Sequence, residues 1–259
     1  MLKVWIAGAN GQIGRALNDV LDPMQIETLN TDLDELDITD TDEVINFGSI
    51  NRPDVIINCA AVTDTDLCEK EPELAYRVNA LGARNLSIVA RKTGAKMVQI
   101  STDDVFDGIR HTPYTEFDDT NPKTVYGRSK RAGENYVKEF THKHFILRSN
   151  WVYGNGNNFV SRVLHAADTK DELLIASDQF GSPTSAKDLA KMIMYLISTN
   201  EYGTYHVTCR GVCSRYEFAQ EILKLAGKDI ELRAVPTEQS DLSACLLYTS
   251  PSPRDAHES

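Results

Sequence analysis

No apolar run in this 259-residue chain approaches the ~20 residues that cross a bilayer, which excludes a helical membrane protein. The opening Met1-Leu2-Lys3-Val4-Trp5-Ile6-Ala7 is too short for the apolar core of a secretory signal and runs straight into glycines. Cysteines are few, odd in number and scattered: Cys59, Cys68, Cys209, Cys213 and Cys245. Cys209 and Cys213 are four apart, but no second Cys or His pair has zinc-ligand spacing, so neither a metal site nor a disulfide framework is expected, and reduced thiols in a cytoplasmic protein are. Positive charge is the minority sign. Twenty-seven Lys and Arg face 38 Asp and Glu, a net charge of -11. That balance favours solubility and disfavours nucleic acid and anionic membrane as partners. An anionic small molecule would need a local positive site, because the overall field opposes it.

What is present is a regular alternation. Strand patterns over residues 3–7, 25–29, 55–58, 96–101 and 144–148 are separated by helical patterns over 12–21, 40–50, 73–92 and 125–140. Asp40, followed three residues later by Glu43, reads as a helix start. This βαβα order predicts an α/β fold of Rossmann type, a doubly wound parallel sheet with helices on both faces. Residues 1–150 would form the dinucleotide-binding domain, with a later helix or strand returning to it. Residues 151–244 would form mainly a smaller C-terminal substrate lobe, with helices over 158–167, 186–198 and 215–226 and short strands over 205–207 and 230–235.

The run Gly8-Ala9-Asn10-Gly11-Gln12-Ile13-Gly14 follows the first strand and opens the first helix. Its glycines suit a tight turn and close approach of a pyrophosphate to backbone N–H groups at a helix N-terminus. An acid near the end of the second strand should meet the adenosine ribose. Asp32 and Asp34 lie at the right distance, and Asp37 follows; the same stretch also reads as a solvated acidic loop. Acids here favour NADH over NADPH by repelling a 2′-phosphate, while Arg15 beside the third glycine works the other way, so both cofactors stay open. Asn58-Cys59-Ala60-Ala61-Val62 ends the third strand in small residues, which lets a cofactor lie close to the chain.

Tyr126 and Lys130, four apart at the start of a helix, share one face. A phenol is a weak acid near neutrality, and a neighbouring ammonium is expected to lower its pKa. Tyr126 could then protonate a carbonyl oxygen as hydride reaches the carbon, with Thr102 polarising the same oxygen. The cofactor would supply the hydride, and Lys130 would also hold its ribose.

These motifs resemble the extended short-chain dehydrogenases. Three longer runs resemble the dTDP-4-dehydrorhamnose reductase family in particular: 101–108 (STDDVFDG), 147–154 (LRSNWVYG) and 178–184 (DQFGSPT) followed by Asp188-Leu189-Ala190. The resemblance implies reduction of a dTDP-4-dehydro-6-deoxy sugar by NADPH or NADH, with a homodimer among the assemblies it suggests. It implies Tyr126 as proton donor and Lys130 at the nicotinamide ribose. Thr102 and Asp103 would lie at the sugar, with Trp151 against the substrate. Gln12, Ile13, Asp37, Ile38, Ala60, Ala61 and Val62 would line the cofactor. Asp104 departs from the family, which usually has Tyr there. Two other functions stay open: a sugar-nucleotide epimerase or dehydratase, for which the Asp103-Asp104 pair speaks, and a non-catalytic regulatory subunit similar to that of methionine adenosyltransferase. The end from Cys245 (CLLYTSPSPRD) resembles a translated sequencing-library adaptor. It predicts a disordered tail over 245–259 and a natural sequence that runs on differently past Ala244.

Overall fold

The computed structural model describes residues 1–241 except Pro23 and His111; the expectations for 245–259 lie outside them. The chain runs β1 (Leu2–Ala7), α1 (Gln12–Val20), β2 (Ile26–Thr31), α2 (Thr41–Asn51), β3 (Val55–Asn58), α3 (Thr65–Lys70), α4 (Pro72–Tyr76), a π-helical turn (Arg77–Gly82), α5 (Ala83–Thr93), β4 (Lys96–Thr102), α6 (Val125–Phe140) and β5 (His144–Ser149). It continues through β6 (Val152–Tyr153), α7 (Phe159–Ala167), β7 (Glu172–Ala176), β8 (Phe180–Gly181), β9 (Thr184–Ser185), α8 (Ala186–Ile197), β10 (Gly203–His206), β11 (Cys213–Ser214), α9 (Arg215–Ala226) and β12 (Glu231–Val235). Among the described residues no helix is long and apolar enough to cross a membrane.

Six parallel strands form one sheet in the order β10-β5-β4-β3-β1-β2. Period-two alternation sends Val4, Ile6, Ile57, Val98 and Leu147 to one face, against α1 and α8. It sends Trp5, Ile56, Met97 and Ile146 to the other, against α2 and α5. Each such side chain, fully removed from water, contributes about 1.5–3 kcal/mol. The buried Trp5 keeps its polar edge satisfied, donating from Nε1 to Thr31 Oγ1 at 2.9 Å. Strand order reverses between β1 and β3, and the crevice beyond the carboxyl ends of strands at such a reversal is where doubly wound sheets bind ligands.

A second, smaller core gathers Phe159, Val163, Leu173, Ile175, Ile222 and Leu223 from α7, β7 and α9. β7 pairs in parallel with β12. Capping boxes on Asn158 and Ser214 start α7 and α9, fixing the helix ends that face the cleft. Between these elements the chain returns to the sheet, where α8 covers the face shared with α1 and β10 adds an edge strand beside β5.

One element differs from expectation. The single helix over 73–92 is broken by the π-helical turn Arg77–Gly82, with α3 and α4 before it. Two contacts hold this irregularity. Gly82 lies so close to Ile38 that a Cβ on it would stand 2.4 Å from Cδ1, and the buried Asn79 side chain is bonded to two other segments.

Candidate active site

The glycine turn does three different jobs. Gly8 has φ 79°, and a Cβ there would stand 2.6 Å from the Ala60 nitrogen; this position lets β1 and β3 end side by side. A Cβ on Gly14 would lie 2.4 Å from the Gly8 oxygen, so Gly14 seats α1 on the turn and does not line the cleft. Gly11 is the open one. Its added Cβ would meet nothing nearer than the Gly8 oxygen at 3.3 Å, and it lines two adjoining hollows of about 490 and 540 Å³.

The first hollow is walled by Gly8, Asp32, Asp37, Ile38, Ala60, Ala61 and Val62. Asp32 accepts the Asn10 N–H at 2.9 Å, tying the end of β2 to the glycine turn. Asp37 accepts from the Thr39 N–H at 2.8 Å. The floor is pinned by Asn79. Its Oδ1 accepts from the Val62 N–H at 2.9 Å, and its Nδ2 donates to the Val62 carbonyl at 3.0 Å and to Ser129 Oγ at 2.9 Å. One buried amide therefore joins the floor of this hollow to the helix that carries Tyr126 and Lys130. A cradle that added Cβ atoms would fill, with free helix N–H groups and acids at the far end, fits a dinucleotide.

The second hollow brings together Gln12, Ile13, Thr102, Tyr126, Lys130 and Trp151. Local packing explains the approach. Thr124 caps α6 by accepting the Gly127 N–H at 2.9 Å, and a Cβ on Gly127 would stand 2.2 Å from the Asp104 carbonyl. The helix start therefore lies directly on the turn after β4, and Tyr126 and Thr102 face the same hollow.

The expected lowering of the Tyr126 pKa does not occur. Burial, followed by the Asp104 carboxylate, pushes the phenol above its ordinary value. Burial instead lowers Lys130 to about 8, against the pull of Glu134. Tyr126 is thus held as a neutral phenol, the form able to give up a proton.

Residues 2–245 match the family profile described as RmlD substrate binding domain. The chain belongs to the dTDP-4-dehydrorhamnose reductase family. It is 40% identical over 258 residues to the spore coat polysaccharide biosynthesis protein SpsK of Bacillus subtilis (strain 168), covering 99% of this chain and 88% of the relative. It resembles the solved dTDP-4-dehydrorhamnose reductase of Clostridium acetobutylicum ATCC 824 at 46% identity and TM-score 0.90, over 92% of this chain and 85% of that one. The reductase of Bacillus anthracis str. Ames, solved in complex with NADP, is 44% identical with TM-score 0.92, over 96% and 89%.

Within this dTDP-4-dehydrorhamnose reductase fold a third hollow of about 370 Å³ adjoins the second, lined by Asp103, Asp104, Tyr126, Trp151, Arg162 and Arg215. Burial raises the pKa of both carboxyls. Asp104 raises Asp103 further, and Arg215 opposes the rise in both. Arg215 is only 8% exposed, and its guanidinium carbon lies 3.6 Å from the Trp151 ring centroid. Burial and then Arg162 lower it to about 9. Trp151 itself has φ 43° and packs on Gly181, where a Cβ would stand 2.6 Å from the ring. Sequence reasoning did not single out Arg162 and Arg215. Two signals pointed to them: an acidic chain needs a local positive site for an anion, and both arginines occupy the first turns of helices whose starts carry strong caps.

Proposed function

We propose that this chain reduces the C4 ketone of dTDP-4-dehydro-L-rhamnose to dTDP-L-rhamnose in the cytoplasm, within nucleotide-sugar and cell-surface polysaccharide synthesis. The observation that carries the reading is the convergence of Thr102, Tyr126, Lys130 and Gly11 on one hollow in a chain of the reductase family. When bound, NADPH or NADH supplies the hydride.

The chain's own residues do the rest. Gly11 and the α1 N-terminus receive the pyrophosphate, and Asp32 and Asp37 border the adenosine. Ile38 and Ala60 to Val62 give an apolar floor, and Gln12 and Ile13 border the nicotinamide half. Lys130 holds the nicotinamide ribose. Thr102 donates to the ketone oxygen and Tyr126 protonates it as negative charge develops there, a form of help typically worth ~10²–10⁴ in rate. Asp103 contacts the sugar, and Trp151 packs against it. Arg162 and Arg215 supply the local positive charge that the sugar's diphosphate requires in a protein of net charge -11. In this reading the sheet, including the returning α8 and β10, holds the cofactor, and α7, β7, α9 and β12 hold the sugar nucleotide.

The test is consumption of NADPH with dTDP-4-dehydro-L-rhamnose, with the product's C4 configuration read by NMR. Cofactor binding without turnover of any dTDP-keto-sugar would reject reduction. A product altered at another carbon with no NADPH consumed would favour an epimerase.

A further inference from the structure

A further cavity of about 140 Å³ shares Asp103 with the substrate hollow and is otherwise walled by residues including Phe106, Tyr114, Arg148, Asn150 and His206. Its polarity is unusual. Arg148 is 3% exposed and Asn150 8%. Among the described residues, Arg148 Nη1, Asn150 Oδ1 and His206 Nε2 are buried with no hydrogen-bond partner. Arg148 is not loose. Its Nε and Nη2 donate to the two oxygens of buried Glu134, each at 2.8 Å, which fixes the third nitrogen. Burial chiefly lowers the His206 pKa and favours its neutral ring. Buried polar groups of this kind find partners in ordered water. At about 30 Å³ per molecule the cavity has room for several, and exposed Pro113 and Thr208 on its rim connect it to solvent.

From the cavity a run of polar side chains leads to the phenol. Asp103 lines the cavity, Thr102 Oγ1 lies 3.3 Å from Asp103 Oδ1, and Thr102 and Tyr126 line the same two hollows. We propose that Asp103 restores the proton Tyr126 gives up, passing it through the Thr102 hydroxyl and refilling from water in this cavity.

The step rests on the reductase reading above, and it balances. Hydride and the Tyr126 proton turn C=O into CH–OH. The phenolate then takes the Thr102 proton as Thr102 takes that of Asp103, and the Asp103 carboxylate takes one from solvent. Asp103 suits the task because burial and Asp104 favour its protonated form, with Arg215 the opposing charge. In this relay the unpartnered atoms of Arg148, Asn150 and His206 hold the water.

Three measurements test the relay. An infrared spectrum of the whole chain at neutral pH should show a carboxylic-acid carbonyl band that Asp103→Asn removes; its absence in the parent would overturn the proposal. In turnover, Asp103→Asn should lower kcat by about 10–100-fold, enlarge the solvent isotope effect and regain rate in formate buffer. Unchanged kcat and isotope effect would overturn the relay while the reductase reading stands. So would a loss confined to KM that formate does not restore. Should the variant fail to fold, a proton inventory on the parent decides: a curved dependence on deuterium content supports several protons in flight, and a linear one overturns the relay. A parent that binds NADPH but turns over no dTDP-keto-sugar removes the reductase reading, and the relay with it.

Discussion

The two halves of the cleft are built from different materials. The side proposed for the cofactor is backbone where the sheet ends: Gly8, Gly11, Ala60 and Ala61 stand at the ends of two neighbouring strands, with one amide, Asn79, bracing the floor. The substrate side is side chains: Asp104, Tyr126, Trp151, Arg162 and Arg215 converge from five separate segments. A backbone cradle depends on where Cβ atoms are missing, so its weak points are steric. A side-chain cleft depends on charge and proton position, so its weak points are chemical.

The largest effect should come from chemistry. Tyr126→Phe should cost ~10²–10⁴ in turnover with NADPH affinity near the parent's, as read by steady-state kinetics beside calorimetry. Near-parent turnover would remove Tyr126 from its role. Arg215→Met should follow. Losing a charge-assisted hydrogen bond of about 1.5–3 kcal/mol should raise KM for the dTDP-sugar by roughly 10–100-fold while cofactor binding holds. An unchanged KM would place the diphosphate elsewhere.

The steric half separates two glycines that look alike in the motif. Gly11→Val should weaken NADPH binding by about tenfold or more, with only the modest loss of about 1 kcal/mol expected for an unfavourable helix N-cap. Gly8→Ala should chiefly destabilise the fold, by about 1–3 kcal/mol or more, because its φ and its contact with Ala60 both exclude a side chain. If both variants lowered affinity and melting temperature in the same ratio, the division of labour would be wrong.

The smallest effect is electrostatic. Asp104 binds its proton more tightly folded than unfolded. Its contribution to stability is therefore complete below the unfolded value near 4 and is lost as pH rises through the folded one. Asp104→Asn, neutral throughout, should flatten part of the fall in melting temperature between about pH 4 and pH 6. An identical slope in parent and variant would show that the carboxyl is not buried as described.

The same contrast governs what could be read from sequence. The glycine turn and the Tyr126/Lys130 pair are local, so spacing alone carries them, and the bounds of α6 and α9 coincide with the periodic stretches 125–140 and 215–226. Arg162 and Arg215 meet only because α7 and α9 pack on one small core, which no local pattern encodes. The π-helical turn was hidden because the sequence on either side of it has helical periodicity. The extra residue is imposed by the bonds of Asn79 and the closeness of Gly82 to Ile38. The Tyr126 pKa moves opposite to the expectation from Lys130, because burial and an acid from another segment raise it.

The return of α8 to the sheet also sets an order of events during synthesis. Until α8 has left the ribosome, the sheet face carrying Ile6, Ile57, Val98 and Leu147 lacks Leu189, Ile193 and Ile197. Strands β1 to β5 therefore emerge as a half-covered layer, the kind of intermediate that invites aggregation and chaperone capture. The segment between β5 and α8 is made while that face is still bare. A stalled nascent chain ending just after β5 should accordingly be far more protease-sensitive than one ending after β10.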